Sequence, residues 1–286
     1  MRLDRAAQGV RLDSALGLLE ARIEGDRLHV DALTPEALRA HVGAIERFFS
    51  RAGKAYPFSA RFESALPARA GLASSAASSA ALAGALARLC GLSPSSSVMV
   101  QWVYEGELDI QKRGSITGSA CAVGGGVQVV RAGVPEPLGV APAVPLVVVD
   151  TQEPCPTSVT TGIVRERLAR DRAGTEAIFD AIEACARSGL DALRHADAGR
   201  LGGLFAENQG HLARLGVSTR KIDAVLGAIA PHVHGAKITG AGGGGCVVAI
   251  PRAGHEEARE RVAVGLHCVS FPIRITPVGL RVEGGE

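Results

Sequence analysis

The alternation of apolar and polar positions is clearest over residues 58–63. Phe58, Ala60 and Phe62 alternate there with polar or charged neighbours, and a period of two predicts a half-buried strand. Two more strands are predicted within 16–30, on either side of the turn residues Glu24-Gly25-Asp26. Apolar runs predict further strands over 145–150, 246–250 and 269–276.

Helix signals occupy most of the remaining chain. Thr34-Pro35-Glu36 supplies an N-cap, a proline at the first helical position and an acid near the positive helix end, which predicts a helix to about residue 50. Helices are also predicted over 76–89, from 95–97 to about 110, and over 255–264. Three or four more are predicted between 157 and 230, with breaks near Gly189 and Gly216.

Small residues dominate 68–75, 114–126 and 240–245, and all three segments are predicted to be loops. No linker or internal repeat is evident in the sequence. The pattern therefore predicts a mixed α+β protein with two lobes, over 1–144 and 145–286.

Composition supports a folded chain and excludes several classes of protein. Glycine accounts for 36 of the 286 residues, roughly twice the usual share of ~7%. An apolar content of 47% argues against disorder. No uncharged apolar run is long enough to cross a membrane, and charged residues among the first nineteen do not suit a signal peptide. A cytoplasmic protein is the resulting expectation.

Charge and cysteine content say little about partners. The 31 basic and 29 acidic residues leave a net charge of +2, so nucleic-acid binding is not predicted. The six cysteines lie far apart without a C-x-x-C pair, which favours buried free thiols over a zinc site or disulfide frame. His232 and His234 have no cysteine or acidic residue close by in the sequence, as the ligand spacing of a zinc site would require.

The first small-residue loop, from Pro67 to Ala77, precedes a predicted helix. Free N–H groups and the helix dipole make such a helix start suitable for an anion, and Ser74 and Ser75 add hydroxyls that can meet phosphate or Mg²⁺. It is not a Walker loop, because no Gly-Lys-Ser/Thr follows. The alternative is a small-residue helix start packed tightly on a sheet.

Three ordered motifs resemble the GHMP kinase superfamily, named for galactokinase, homoserine kinase, mevalonate kinase and phosphomevalonate kinase. They are the Pro67–Ala77 loop, the segment Trp102-Val103-Tyr104-Glu105-Gly106-Glu107, and the run from Lys237 to Cys246. The last two are most similar to mevalonate kinases. The resemblance implies a ribosomal protein S5 domain 2-like N-terminal lobe, a ferredoxin-like C-terminal lobe, and ATP and Mg²⁺ as cofactors.

The resemblance also implies roles for individual residues. It places Mg²⁺ on Ser75 and Glu107, which are also the expected catalytic residues. The ATP phosphates fall on Ala70, Gly71, Leu72, Ala73, Ser74, Ser75 and Ala76. The substrate falls on Ser119, Thr157, Gly240, Ala241, Gly242 and Gly243. A helix N-cap is the alternative role for Thr157, a solvated helix face for Glu107, and a tight turn between strands for 240–245.

Two positions depart from the mevalonate kinase pattern. Aligning Gly114 and Gly118 with the family's second motif puts Ala120 where an aspartate takes or orients the acceptor proton. The family also carries a lysine near its start, whereas this chain has none before Lys54, and by the family layout it begins about twenty residues late. Asp109 is a candidate replacement for the base, and Lys112 or Arg113 for the lysine.

Three functions follow from these matches. The first is ATP- and Mg²⁺-dependent phosphorylation of mevalonate or a related hydroxy acid in isoprenoid precursor synthesis. The second is an ATP-dependent decarboxylase of a phosphorylated mevalonate, or a mevalonate 3-kinase type activity, because Gly118-Ser119-Ala120-Cys121 resembles mevalonate diphosphate decarboxylases. The third is an inactive ligand-binding paralogue. A small-molecule substrate is expected, without nucleic acid or membrane, and a homodimer is a family expectation.

Overall fold

The computed structural model describes residues 1–15, 17–30, 34–35, 38, 41–67, 70–111, 114–139, 143–154 and 157–283. The chain divides into two compact units. The first contains Met1–Ala65, Ser75–Gly139 and Thr276–Glu286, and the second contains Leu66–Ser74 and Val140–Ile275. The sequence prediction of two lobes differs from these units at three places. The loop before the helix at residue 74 belongs to the second unit, the second unit resumes at Val140 and not at residue 145, and the C-terminal segment belongs to the first unit.

A five-stranded sheet forms the base of the first unit. Its strands are β1 (Arg2–Arg5), β2 (Val10–Ser14), β3 (Gly17–Glu24), β4 (Arg27–Val30) and β5 (Phe58–Arg61), in the order β1-β5-β2-β3-β4. Only the β2–β5 pair is parallel among these described strands. The predicted strand around Phe58 is confirmed, with Phe58 and Ala60 in the core. The predicted turn at Gly25 is also present, with φ at 67°.

Helices cover this sheet and bury its apolar face. They are α1 (Val42–Ala52), α2 (Ser74–Leu89), α3 (Ser96–Gln111) and α4 (Ile116–Gly124). The core joins Phe48 and Phe49 of α1 to Leu82 and Leu86 of α2 and to Phe58. Each such fully buried side chain contributes roughly 1.5–3 kcal/mol.

The prediction of a loop over 114–126 is wrong, because α4 occupies most of it. Ser115 caps this helix by accepting a hydrogen bond from the Thr117 N–H at 3.3 Å. Ser119 and Ala120 are buried, so tertiary packing of small side chains outweighs a weak intrinsic helix propensity. A hairpin of β6 (Gln128–Arg131) and β7 (Val134–Pro137) follows the helix.

The second unit has an antiparallel sheet of β8 (Leu146–Asp150), β9 (Val233–Ile238), β10 (Cys246–Pro251) and β11 (Val269–Ile273), in the order β11-β8-β10-β9. Its helices are α5 (Thr157–Arg170), α6 (Arg172–Arg194), α7 (Ala198–Leu215), α8 (Arg220–Ile229) and α9 (Glu256–Gly265).

The predicted break near Gly189 is wrong: α6 runs through Gly189, which packs against Leu201 of α7. Within the described residues, no helix has the length and apolar character needed to cross a bilayer.

Candidate active site

A buried carboxylate, Glu107, is the central feature of the candidate site in the first unit. Glu107 lies on α3 and is only 8% exposed. The Ser119 hydroxyl of α4 donates a hydrogen bond to Glu107 Oε2 at 2.8 Å. Burial raises the pKa of the Glu107 carboxyl above its ordinary value, while the hydroxyls of Ser119 and Ser75 act in the opposite direction. The solvated-face alternative for Glu107 is therefore wrong.

Ser75, at the start of α2, completes this group. Its Oγ is buried and makes no hydrogen bond of good geometry within the described part of the chain, although it is close enough to Glu107 to lower the pKa of that carboxyl. An unsatisfied buried hydroxyl beside a desolvated carboxylate calls for an additional partner. Two hard oxygen donors suit Mg²⁺, which usually takes one or two protein ligands together with phosphate and water oxygens. The residues present therefore fit this ion.

Ser119 has a different partner from the one predicted for it. The resemblance implied a contact with substrate, but the Ser119 side chain is 0% exposed and its hydroxyl proton is directed to Glu107. In this structure the hydroxyl orients the carboxylate and is not available to a substrate.

Asp109 lies on the same helix as Glu107 but faces away from it. Residues two apart on a helix differ by about 200° in direction. The Asp109 carboxylate forms an ion pair with Arg47 of α1, next to a second pair in which Arg51 meets Glu105 at 2.6 Å. The structure does not bring Asp109 together with Ser75 and Glu107, which argues against its prediction as a replacement base. Lys112 and Arg113 lie outside the described residues.

In the second unit, the loop before α2 is fixed against the glycine-rich loop. The Cys246 N–H donates to the Ala70 carbonyl oxygen at 3.0 Å. Gly71 has a φ of 75°, and a Cβ added to it would lie 2.9 Å from the Thr239 carbonyl oxygen. Ala73 also has a positive φ, of 54°, which is uncommon for a residue other than glycine. Two loops that the sequence presents as separate candidates thus meet within one unit.

The glycine-rich loop has left-handed backbone at nearly every position. Positive φ values occur at Gly240, Gly242, Gly243, Gly244 and Gly245. Added Cβ atoms at Gly242 and Gly243 would lie 2.5 Å from the Val217 carbonyl oxygen and 2.5 Å from Thr160 Oγ1. Larger residues at these positions would clash with the unit to which the loop belongs. This agrees with the alternative of a tight turn between strands, and it holds whether or not the loop binds a ligand.

Two threonines that sequence reasoning missed support this loop. The Thr160 hydroxyl donates to the Gly242 carbonyl oxygen at 3.1 Å, and the Thr151 hydroxyl donates to the Gly245 carbonyl oxygen at 2.6 Å. Both side chains are buried. Thr157 is the first residue of α5, but its side chain lies outside the described part. The spacing of Thr160 one helical turn after Thr157 was the available signal.

Family models match both halves of the chain: residues 39–126 match the GHMP kinases N terminal domain, and residues 180–267 match GHMP kinases C terminal. Mevalonate kinase of Aeropyrum pernix is 31% identical over 282 residues, covering 96% of this chain and 86% of the relative. Mevalonate kinase of Pyrococcus horikoshii is 31% identical over 248 residues, covering 84% and 73%. The chain belongs to the GHMP kinase family. The prediction of a small-molecule kinase of this family is confirmed.

Solved structures of GHMP kinases share the same fold. The mevalonate kinase of Methanococcus jannaschii matches with a TM-score of 0.79 at 19% identity, covering 96% of this chain and 87% of that one. Lactococcus lactis galactokinase complexed with galactose matches with a TM-score of 0.76 at 17% identity, covering 97% and 85%. The predicted fold class is confirmed. Because the two proteins differ in substrate, the GHMP kinase fold alone does not select the acceptor.

Proposed function

We propose that this GHMP kinase transfers the γ-phosphoryl group of ATP to a hydroxyl of mevalonate, a step in isoprenoid precursor synthesis. The observation that carries the proposal is the buried Glu107 carboxylate beside the unsatisfied Ser75 hydroxyl. Mevalonate kinases with 30–33% identity over most of the chain support mevalonate as the acceptor.

Ser75 and Glu107 would hold Mg²⁺, and Ser119 keeps the Glu107 carboxylate oriented through its hydrogen bond. When bound, the ion neutralises charge on the phosphates. Residues 70–76 are proposed to surround the ATP phosphates, and Thr157 and Gly240 to Gly243 to contact the substrate. A cytoplasmic location and a homodimer also stay predictions.

The acceptor proton has no carboxylate base at the usual family position, since Ala120 stands there. A general base contributes typically about 10²–10⁴-fold, whereas phosphoryl transfer depends mainly on positioning and charge neutralisation. We propose that this enzyme works through those two effects and has a correspondingly low turnover number.

The test is an ADP-release assay with mevalonate, its 5-phosphate and its 5-diphosphate, scored in parallel for CO₂. ADP with a stable phosphorylated product from mevalonate is expected. If ADP forms only when the 5-phosphate or the 5-diphosphate is the acceptor, that compound would replace mevalonate as the proposed substrate. No acceptor-dependent ADP in a protein that still binds ATP would favour the inactive paralogue.

The decarboxylase alternative depends on the serine of Gly118-Ser119-Ala120-Cys121. Its hydroxyl is directed to Glu107 in this structure, which weakens that alternative at the residue that suggested it. Release of CO₂ in step with ADP would nevertheless establish a decarboxylase and overturn the kinase proposal.

A further inference from the structure

Three metal-ligating side chains meet on the α6–α7 helix pair of the second unit. They are Cys185 of α6 and Glu207 and His211 of α7, and their donor atoms all lie within 4.8 Å of one another. Among the described residues this is the one such group of three. It lies in the second unit, whereas Ser75 and Glu107 belong to the first.

Helix geometry explains why the three donors converge. Glu207 and His211 are four residues apart, so they lie on one face of α7, and the His211 Nε2 and Glu207 Oε1 atoms are 3.9 Å apart. Cys185 is buried at the seam between the two helices. Donors in a tetrahedral zinc site are about 3.3–3.8 Å apart, given zinc–ligand distances of about 2.0–2.3 Å. Movements of about 1 Å would therefore close the site.

His211 supplies a second, independent observation. Its Nδ1 and Nε2 are both buried and have no hydrogen-bond partner within the described part of the chain. Buried ring nitrogens that make no hydrogen bond are costly, and an additional ion or water is one explanation for such groups in native proteins. Glu207, by contrast, is 61% exposed, which leaves a route for an ion from solvent.

We propose that Cys185, Glu207 and His211 form a Zn²⁺ site, with water as the fourth ligand. A thiolate, an imidazole and a carboxylate are the ligands that zinc accepts, and thiolate and imidazole are poor ligands for Mg²⁺. Binding converts the Cys185 thiol to a zinc-bound thiolate and releases its proton to solvent.

The position of the site suggests what the ion does. Between the two ligands on α7, Gln209 Oε1 accepts a hydrogen bond from the Ile238 N–H at 2.9 Å. Just beyond its end, the Val217 carbonyl oxygen accepts one from the Gly243 N–H at 2.8 Å. A zinc ion that joins α6 to α7 would thus stabilise the helix on which the glycine-rich loop rests.

The experiment uses the full-length chain, stripped of metal and held in excess Mg²⁺. Co²⁺ replaces Zn²⁺ as a spectroscopic probe, because a thiolate ligand gives a sulfur-to-cobalt charge-transfer band. We expect one Co²⁺ per chain with that band, displaced by Zn²⁺. Zn²⁺ at a hundred times its Kd should raise the Tm by about 5 °C or more.

Variants identify the ligands. Cys185→Ser should abolish the charge-transfer band and weaken Zn²⁺ binding at least about 10-fold, whereas Cys268→Ser, the same change at another buried cysteine of this unit, should leave both unchanged. His211→Gln provides a second ligand variant should Cys185→Ser fail to fold. His255→Asn removes the His232–His255 pair, whose Nδ1 atoms are 3.1 Å apart, and should not affect the band.

Three results would overturn the proposal. They are the absence of a thiolate band with Co²⁺, Zn²⁺ binding that Cys185→Ser and His211→Gln leave intact, and binding that is lost with His255→Asn. Affinity should also rise with pH, because the ion must displace the proton of the Cys185 thiol.

Discussion

A carboxylate placed like Glu107 destabilises the metal-free protein when it is ionised, because burial raises its pKa. The folded state then binds the proton more tightly than the unfolded state. Stability is therefore lost as pH rises from the ordinary glutamate range through the raised pKa. Glu107→Gln should remove that loss, so the metal-free variant should be at least as stable as the natural protein at pH 8.

The same substitution should lower turnover at least about 100-fold, because the proposed Mg²⁺ ligand is gone. Thermal unfolding from pH 4 to 9 in a chelator, together with Mg²⁺-dependent ADP release, measures both effects. Glu105→Gln is the matched control on the same helix. It breaks a partly exposed pair with Arg51 and should change stability by no more than about 1 kcal/mol.

Ser119 acts through Glu107, so its removal should affect metal dependence more than folding. Ser119→Ala should raise the Mg²⁺ concentration for half-maximal activity about 10–100-fold. Ser115→Ala removes the α4 N-cap four residues earlier and should cost about 1 kcal/mol of stability without that shift. Equal Mg²⁺ titrations for the two variants would show that Ser119 has only a structural role.

The glycine-rich loop offers a test of element-level packing. At Gly243, φ is 76° and an added Cβ would lie 2.5 Å from Thr160 Oγ1. We expect Gly243→Ala to destabilise the protein by about 1–3 kcal/mol. Gly227 of the helix α8 has open space around its Cβ position, so Gly227→Ala should stabilise it by about 0.5–1 kcal/mol. Denaturant unfolding compares the two, and equal stabilities would contradict this account.

Strands and helices with a clear apolar periodicity could be predicted from the sequence. Those that depend on packing or pairing with other parts of the chain could not. The alternation around Phe58 specifies its strand because one face is buried. Helix α4 was missed because its small residues become favourable only through packing. Strand β7 was missed because Pro135 and Pro137 argue against a strand, but β7 pairs only with β6 among the described strands, and an edge strand tolerates proline.

The candidate site shows the same division. Ser75 and Glu107 could be found because they lie in local motifs. Thr151 could not, because its role is a hydrogen bond to Gly245, 94 residues away. For Thr160, whose partner Gly242 is 82 residues away, the spacing from Thr157 was the only signal. The helical spacing of Asp109 already implied the other face of α3, and its partner Arg47 could be identified only in the structure.

At the scale of the whole molecule, the C-terminal segment belongs to the first unit. The Gly126 N–H donates to the Thr276 carbonyl oxygen at 2.7 Å, and the Leu280 N–H donates to the Val123 carbonyl oxygen at 3.1 Å. Leu280 also packs over Gly84 of α2, where an added Cβ would lie 3.0 Å from it. Helices α2 and α4 are thus held in part by residues distant in sequence.

Truncation after Ile275 should therefore loosen the first unit. We expect faster amide hydrogen exchange in α2 and α4 and little change in the β8–β10 pair of the second unit. The β8–β10 pair serves as the internal control. Unaltered exchange in α2 after the truncation would show that the segment contributes nothing to the stability of that helix.

This discontinuity bears on how the chain folds as it is synthesised. Domains usually fold in order as they emerge from the ribosome, but the first unit needs residues that follow nearly all of the second unit in sequence. Its last contacts join segments about 150 residues apart, and such non-local closure is slow. The second unit can therefore become native before α2 and α4 of the first unit receive the C-terminal segment that packs on them.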